Sequence, residues 1–251
     1  MSKPSFLNAE RPLLTVMING RTLDADKKQI DNALRGGAEA FCIQLERLLP
    51  EYRTDEQLSE LFSWCQGKPI YITTYRLGMN DEECVELMLR GLAAGAMLCD
   101  VMGDLYHAEE HELTLDAEAV VKQKALIEKI HALGGEVLMS SHLHAYLPPD
   151  EVLRYARAQK ERGVDIVKIV SEAHDEEQRM ANIELVLRLK RELGDVPFLF
   201  LNCGEYGKTL RQIGPALGVC MYLCLESNPP DGPAIQPLLS EVKAIRDAMN
   251  L

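Results

Sequence analysis

Eight times along 251 residues, a short apolar run is followed by a polar turn and then by a stretch of helical periodicity. That alternation constrains the fold more than any other feature. Apolar runs this short read as buried strands, and the longer amphipathic stretches between them read as helices packed over a sheet. Strands are predicted at Leu13–Ile18, Ala40–Leu45, Ile70–Tyr75, Ala96–Val101, Glu136–Ser141, Asp165–Val170, Pro197–Leu201 and Val219–Cys224. Helices are predicted near 24–35, 55–66, 81–94, 116–133, 150–162, 176–193, 206–216 and 235–249.

Glycines at helix-to-strand junctions (Gly36-Gly37, Gly95, Gly134-Gly135, Gly163, Gly194 and Gly218) stand where helix C-caps belong. Asp81-Glu82-Glu83 and Asp150-Glu151 put acids in first helical turns, as the helix dipole favours. Eight strands alternating with eight helices at this length predict an α/β fold, a (β/α)₈ TIM barrel, as one domain over residues 1–251. A doubly wound open sheet is the runner-up. It needs fewer strands, and its dinucleotide-binding members carry a GxGxxG after strand one, where this chain has Asn19-Gly20-Arg21-Thr22. One connection is long: residues 102–114, rich in His and acid, read as an insertion or flap.

The formal charge of −12, with no basic stripe, argues against a nucleic-acid partner. No apolar stretch reaches transmembrane length, and Met1-Ser2-Lys3-Pro4 has no signal-peptide apolar core. The seven cysteines are odd in number and show neither CxxC nor zinc-ligand spacing. Reduced thiols in a cytoplasmic protein are the expectation. A homodimer is left open as its assembly.

In a barrel, function gathers at the C-terminal ends of the strands. Lys168 stands out there, inside Asp165-Ile166-Val167-Lys168-Ile169-Val170. Burying an ammonium is costly unless it is paired or neutral, and burial favours the neutral amine. A neutral amine in a dry pocket attacks carbonyl carbon and forms a Schiff base. The competing account is a lysine that snorkels out or pairs with a carboxylate. Strand five ends in Ser140-Ser141-His142-Leu143-His144. A histidine at the top of the neighbouring strand suits the proton transfers of imine chemistry near neutral pH. His142 is the expected partner of Lys168, and His144 the lesser candidate.

Arg76 follows strand three directly, and Arg211 lies one turn beyond Cys203-Gly204-Glu205-Tyr206-Gly207. Either guanidinium can fork a substrate carboxylate. His107 and His111, with Asp104, Glu109, Glu110 and Glu112, offer a metal reading, but such runs are usually solvated charge. No metal and no organic cofactor is expected.

The order of these parts resembles type I 3-dehydroquinate dehydratase over nearly the whole chain. Val137-Leu138-Met139-Ser140-Ser141-His142 and Gly163-Val164-Asp165-Ile166-Val167-Lys168-Ile169 are similar to that family's histidine and Schiff-base lysine segments. Thr73-Thr74-Tyr75-Arg76 is similar to its strand-three arginine segment, and Cys203 to Arg211 to its glycine turn and carboxylate-binding arginine. Three segments depart from the pattern. Gln44-Leu45-Glu46 stands where the family has Glu-x-Arg, turning an acid into an amide and an arginine into an acid. The strand-four acid pair is half present, as Asp100 and Met102. The closing Ser-Ala-Pro-Gly-Gln loop is not legible in Asn228–Ala234.

The resemblance implies a lyase of the shikimate pathway of aromatic amino acid biosynthesis, acting on a small keto acid, 3-dehydroquinate or a related cyclic one. Lys168 forms the iminium, His142 moves protons, Arg211 and Arg76 bind carboxylate, and Gln44 and Glu46 line the altered wall. A class I aldolase-type lyase using the same lysine, or a degenerate barrel that binds a small acid, stays open beside it.

Overall fold

The computed structural model describes residues 4–229, 232 and 234–250. Its strands are β1 (Leu13–Ile18), β2 (Ala40–Gln44), β3 (Ile70–Thr73), β4 (Leu98–Met102), β5 (Glu136–His142), β6 (Ile166–Glu172), β7 (Phe198–Cys203) and β8 (Met221–Cys224). All hydrogen-bonded neighbours run parallel, in the order β7-β6-β5-β4-β3-β2-β1-β8. The Cys220 N–H donates to Phe198 O at 2.9 Å and brings the start of β8 against β7. The result is a nearly closed (β/α)₈ barrel.

The helices between them are α1 (Leu23–Gly36), α2 (Asp55–Ser63), α3 (Asp81–Ala94), α4 (Ala117–Ala132), α5 (Pro149–Glu161), α6 (Glu176–Leu193), α7 (Lys208–Leu217) and α8 (Leu239–Met249). Local chemistry sets many of their ends. Asn80 and Glu83 form a reciprocal capping box at the start of α3. Gly37, with φ 94°, ends α1 in a left-handed cap whose N–H reaches Ala33 O and Leu34 O. No helix among the described residues is long and apolar enough to cross a membrane.

Strand ends differ from the sequence expectation where they matter. β5 and β6 run further, to His142 and Glu172, because their ladder continues through His142↔Val170 and the β6–β7 ladder through Glu172↔Cys203. β3 stops at Thr73, and Tyr75 lies in the turn beyond, where Leu77 N–H donates to Tyr75 O at 2.7 Å. Successive strand residues alternate between barrel interior and helix layer. Residues of one parity therefore converge inside: Tyr71 and Thr73, Leu98 and Asp100, Ser140 and His142, Lys168 and Val170. From the N-terminal end, Phe6 closes the barrel edge-on against Tyr71, ring centroids 6.4 Å apart. Its backbone N–H is held by Glu136 Oε2 at 3.0 Å.

The 102–114 connection forms no helix; residues 107–110 are exposed, while both of its ends are packed onto the barrel. Asp104, Leu105 and Thr114 are buried. Buried Arg162 donates to Gly103 O at 2.7 Å and also to Thr114 O, while Gln123 Nε2 reaches Gly103 O and Leu105 O at 3.1 and 2.8 Å. Gly103 permits the close approach: a Cβ there would sit 2.4 Å from Glu112 O and 2.7 Å from Ser141 Oγ. The loop is thereby fixed on the barrel mouth beside β5.

Candidate active site

A cavity of about 170 Å³ opens at the C-terminal end of the barrel. It is small enough that a ligand filling it meets Lys168, His142 and Arg211 together, all three of which line it. Gln44, Thr73, Tyr75 and Gln236 add to its polar wall, and Met17, Val170, Leu201 and Leu223 to its apolar one.

Lys168 is 4 % exposed and does not snorkel. Its Nζ lies 3.0 Å from Asp100 Oδ2, 3.0 Å from the Tyr71 hydroxyl and 2.8 Å from the Tyr75 hydroxyl. The pairing account is therefore realised in this state: a buried ammonium facing a buried carboxylate. Such pairs persist only when each partner's remaining hydrogen bonds are satisfied. Asp100 meets that condition. Oδ2 also accepts from both phenols, with Tyr75 at 2.7 Å, and Oδ1 accepts from Ser140 Oγ at 2.5 Å. Burial pushes both phenols well above their usual range, and the Asp100 charge adds to that, so each stays protonated as a donor.

His142 ends β5, two residues beyond Ser140, whose register partner is Lys168. Its ring stands edge-on to Tyr75, centroids 5.3 Å apart. Its Nδ1 is 2.6 Å from Glu112 Oε2, and its backbone N–H donates to the same oxygen at 2.9 Å. Glu112 adopts φ 49° in the anchored loop. Burial works to raise the Glu112 pKa, but the hydrogen bond and charge of His142 overcome this and hold the carboxyl at about 2. With Nδ1 engaged, Nε2 is the ring nitrogen left for exchange with a ligand. His144 is 69 % exposed at the side chain and reaches Glu112 Oε1 at 3.5 Å; it does not line the cavity.

Arg211, in the first turn of α7, is 5 % exposed. Its Nε donates to Asn202 O at 2.6 Å and its Nη2 meets Cys203 Sγ at 3.3 Å. Among the described residues it has no carboxylate partner within ion-pair distance. Burial lowers its pKa. A buried guanidinium held by neutral groups at a cavity wall suits an anionic ligand. Gly207 shapes this corner, since a Cβ there would fall 2.6 Å from Cys203 O and 2.7 Å from Asn202 O.

Two expected site residues stand elsewhere. Arg76 does not line the cavity. Its guanidinium is saturated by Asp81 Oδ1 at 2.5 Å, Asp104 Oδ1 at 2.8 Å and Asp104 O at 2.9 Å. Local acids have taken the fork that a substrate carboxylate was expected to take. Glu46 is buried in a short 3₁₀ turn, where Thr73 Oγ1 donates to it at 2.9 Å, and it lines a neighbouring cleft with Arg21, Arg47 and Arg53. Burial raises its pKa to about 6, and Glu46 lines that cleft rather than the cavity that the sequence suggested. Gln44 does line the cavity.

Three residues that sequence reasoning passed over or underweighted belong here. Asp100 is one charge in an otherwise apolar strand, the same kind of signal as Lys168. Tyr71 shares the Thr73 parity on β3. Glu112 left no local sign, because its contact spans thirty residues of chain. Gln236, two residues beyond the closing loop, is a fourth; positions 230, 231 and 233 of that loop lie outside the described residues.

His107 pairs with Glu109 at 3.1 Å, and His111 Nδ1 meets Leu143 O at 2.6 Å. Among the described residues no three His, Cys, Asp or Glu side chains gather as metal ligands would. No disulfide links the cysteines.

Comparison with known proteins bears on the family and the fold. The sequence model of the type I 3-dehydroquinase family matches residues 14–250. No curated protein matches the sequence. Among solved structures, the type I 3-dehydroquinate dehydratase of Clostridium difficile, described with covalently modified comenic acid, superposes with a TM-score of 0.80 at 15 % identity, covering 96 % of this chain and 93 % of that one. The 3-dehydroquinate dehydratase of Geobacillus kaustophilus gives 0.79 at 14 % identity, covering 96 % and 92 %. That of Aquifex aeolicus gives 0.71 at 17 % identity, covering 94 % and 98 %. At these identities the superpositions establish the fold alone.

Proposed function

We propose that this chain, which belongs to the type I 3-dehydroquinase family, is a carbon–oxygen lyase that dehydrates a small cyclic keto acid through a Schiff base on Lys168. The observation that carries the reading is the Lys168 amine, buried in the barrel interior and lining the same cavity as His142 and Arg211. In this mechanism Arg211 binds the substrate carboxylate, and the Lys168 nitrogen attacks the ketone carbon. Loss of water leaves an iminium, which acidifies the adjacent C–H as an electron sink. His142, oriented through Nδ1 by Glu112, removes that proton through Nε2. It returns the proton to the β-hydroxyl as it leaves, so the ring gains a conjugated double bond. Hydrolysis of the iminium releases product and restores the amine. None of these steps requires a metal or organic cofactor.

The family's substrate is 3-dehydroquinate, giving 3-dehydroshikimate in the cytoplasmic shikimate pathway. Gln44 supplies an amide rather than an acid at one wall, and Arg76 and Glu46 are engaged away from the cavity. We therefore infer a narrower electrostatic grip, resting on Arg211, and a preference for a related acid with fewer contacts than 3-dehydroquinate makes in ordinary members. Incubation with 3-dehydroquinate and cyanoborohydride, followed by peptide mapping, tests the covalent step. A mass adduct at Lys168 and appearance of the conjugated enone support the reading. Carbon–carbon cleavage products in place of the enone indicate an aldolase-type lyase instead, and binding without adduct indicates a degenerate barrel.

A further inference from the structure

Schiff-base formation from a buried ammonium poses a proton problem. The resting pair is Lys168 ammonium with Asp100 carboxylate, yet attack on a ketone needs the free amine. Two protons must leave nitrogen, and two must arrive on the departing oxygen. His142 is engaged by Glu112, and no contact joins its ring to the Lys168 nitrogen.

The Tyr75 hydroxyl answers both needs. It is the near neighbour of the nitrogen at 2.8 Å and of Asp100 Oδ2 at 2.7 Å, and Tyr75 also lines the cavity. Tyr71 touches the same two groups, but it is fully buried and does not reach the cavity. We propose that Tyr75, backed by Asp100, is a catalytic residue that carries protons from the Lys168 nitrogen to the substrate oxygen during imine formation, leaving His142 to the α-carbon chemistry. The proposal rests on the Schiff-base reading above.

The step balances without any outside acid. Lys168 passes one proton to Asp100, and its lone pair forms the C–N bond while the carbonyl π pair moves to oxygen. Tyr75 gives its proton to that oxygen and is reprotonated from Asp100. The carbinolamine nitrogen then releases a second proton through Tyr75 to the hydroxyl. The C–O bond breaks, water leaves, and the nitrogen lone pair forms the iminium. Ammonium plus ketone has become iminium plus water, with one positive charge on nitrogen before and after. Asp100 ends as it began, a carboxylate facing a cation, so the buried ion pair survives the reaction. A protonated Asp100 at the end would leave the iminium as an unpaired buried charge, which burial strongly disfavours. Tyr71 is a positioning residue that holds the Asp100 oxygen.

The test separates imine formation from turnover in the full-length chain. The rate of adduct formation with 3-dehydroquinate and cyanoborohydride is followed by mass spectrometry in wild type, Tyr75→Phe, Tyr71→Phe and His142→Ala. Tyr75→Phe is expected to slow adduct formation by roughly 10²-fold, the scale of a lost acid–base group. Tyr71→Phe should slow it by less than about tenfold, since it removes two supporting hydrogen bonds but no proton carrier facing the cavity. His142→Ala should abolish enone production while trapping persists at near wild-type rate. As a second measurement that does not rely on a Phe variant folding, 3-fluorotyrosine in place of Tyr75 makes the phenol more acidic, lowering its pKa. It should move the alkaline limb of the trapping-rate profile towards acid, which a packing role would not do. Unchanged trapping in Tyr75→Phe, equal slowing in Tyr71→Phe and Tyr75→Phe, equal slowing in His142→Ala, or an unmoved profile each overturns the proposal while the Schiff base stands. Absence of any adduct in wild type, with 3-dehydroquinate and with smaller cyclic keto acids at saturating concentration, removes the Schiff-base reading, and this proposal with it.

Discussion

Glu112 Oε2 lies 2.6 Å from His142 Nδ1, although the two residues are thirty positions apart. The contact orients the imidazole at the end of β5, and it depends on the 102–114 connection being packed down by Arg162, Gln123 and Ser141. A loop that reads as solvated charge thus supplies the group that fixes the histidine's tautomer.

The pH dependence of folding follows from that pair. Folding lowers the Glu112 pKa from an ordinary 4.5 to about 2. A carboxyl with a depressed folded pKa stabilises the fold fully above its unfolded value and loses that contribution as pH falls through the folded one. Unfolding free energy, measured by urea titration, is therefore expected to drop by up to about 3 kcal/mol between pH 5 and pH 2 more steeply in wild type than in Glu112→Gln. Parallel curves for the two proteins would mean that the pair contributes nothing.

His142→Ala is expected to reduce turnover by roughly 10²–10⁴-fold, and His144→Ala by less than threefold. Steady-state rates on whichever keto acid is accepted make the comparison. A crippled His144 variant would assign the proton transfers to the exposed histidine instead.

Removing Lys168 should destabilise as well as inactivate. Lys168→Met leaves Asp100, 1 % exposed, as an uncompensated buried charge, at a cost of about 3–5 kcal/mol. Adding Asp100→Asn should recover a large part of the lost stability and none of the activity. Thermal unfolding of the three proteins measures this, and additive losses would contradict a direct pair.

Arg211→Gln should raise KM roughly tenfold to a hundredfold, for the loss of a charge-assisted hydrogen bond of about 1.5–3 kcal/mol. Arg76→Gln should act mainly on stability, since its partners are Asp81 and Asp104. Glu46→Arg would force a guanidinium beside buried Thr73, so restoring the family's strand-two pattern with Gln44→Glu should lower folding yield rather than raise activity. A gain in kcat/KM for that double variant would show that Glu46 faces substrate after all.

Activity should survive prolonged dialysis against EDTA. Loss of turnover that a divalent ion restores would bring back the His107–His111 segment as a metal site.

The sequence alone determined the barrel, because each strand and helix writes its own period into a few consecutive residues, and eight alternations leave one economical closure. It also marked Lys168, because a charge inside an apolar strand violates a local rule, and a local violation is visible without coordinates. His142 and Arg211 were legible as polar residues at strand ends and first helical turns. The tertiary structure decided which of these side chains meet. Arg76 and Arg211 look alike in the sequence, yet Arg76 is neutralised by Asp104 from a loop twenty-eight residues away while Arg211 meets only neutral partners. Glu46 follows strand two in the sequence as a cavity residue would, but a 3₁₀ turn carries it into the next cleft. Tyr71, Asp100 and Lys168 meet inside the barrel because three strands turn these side chains to the same face. Register between strands is a property of the closed sheet, and no single segment encodes it.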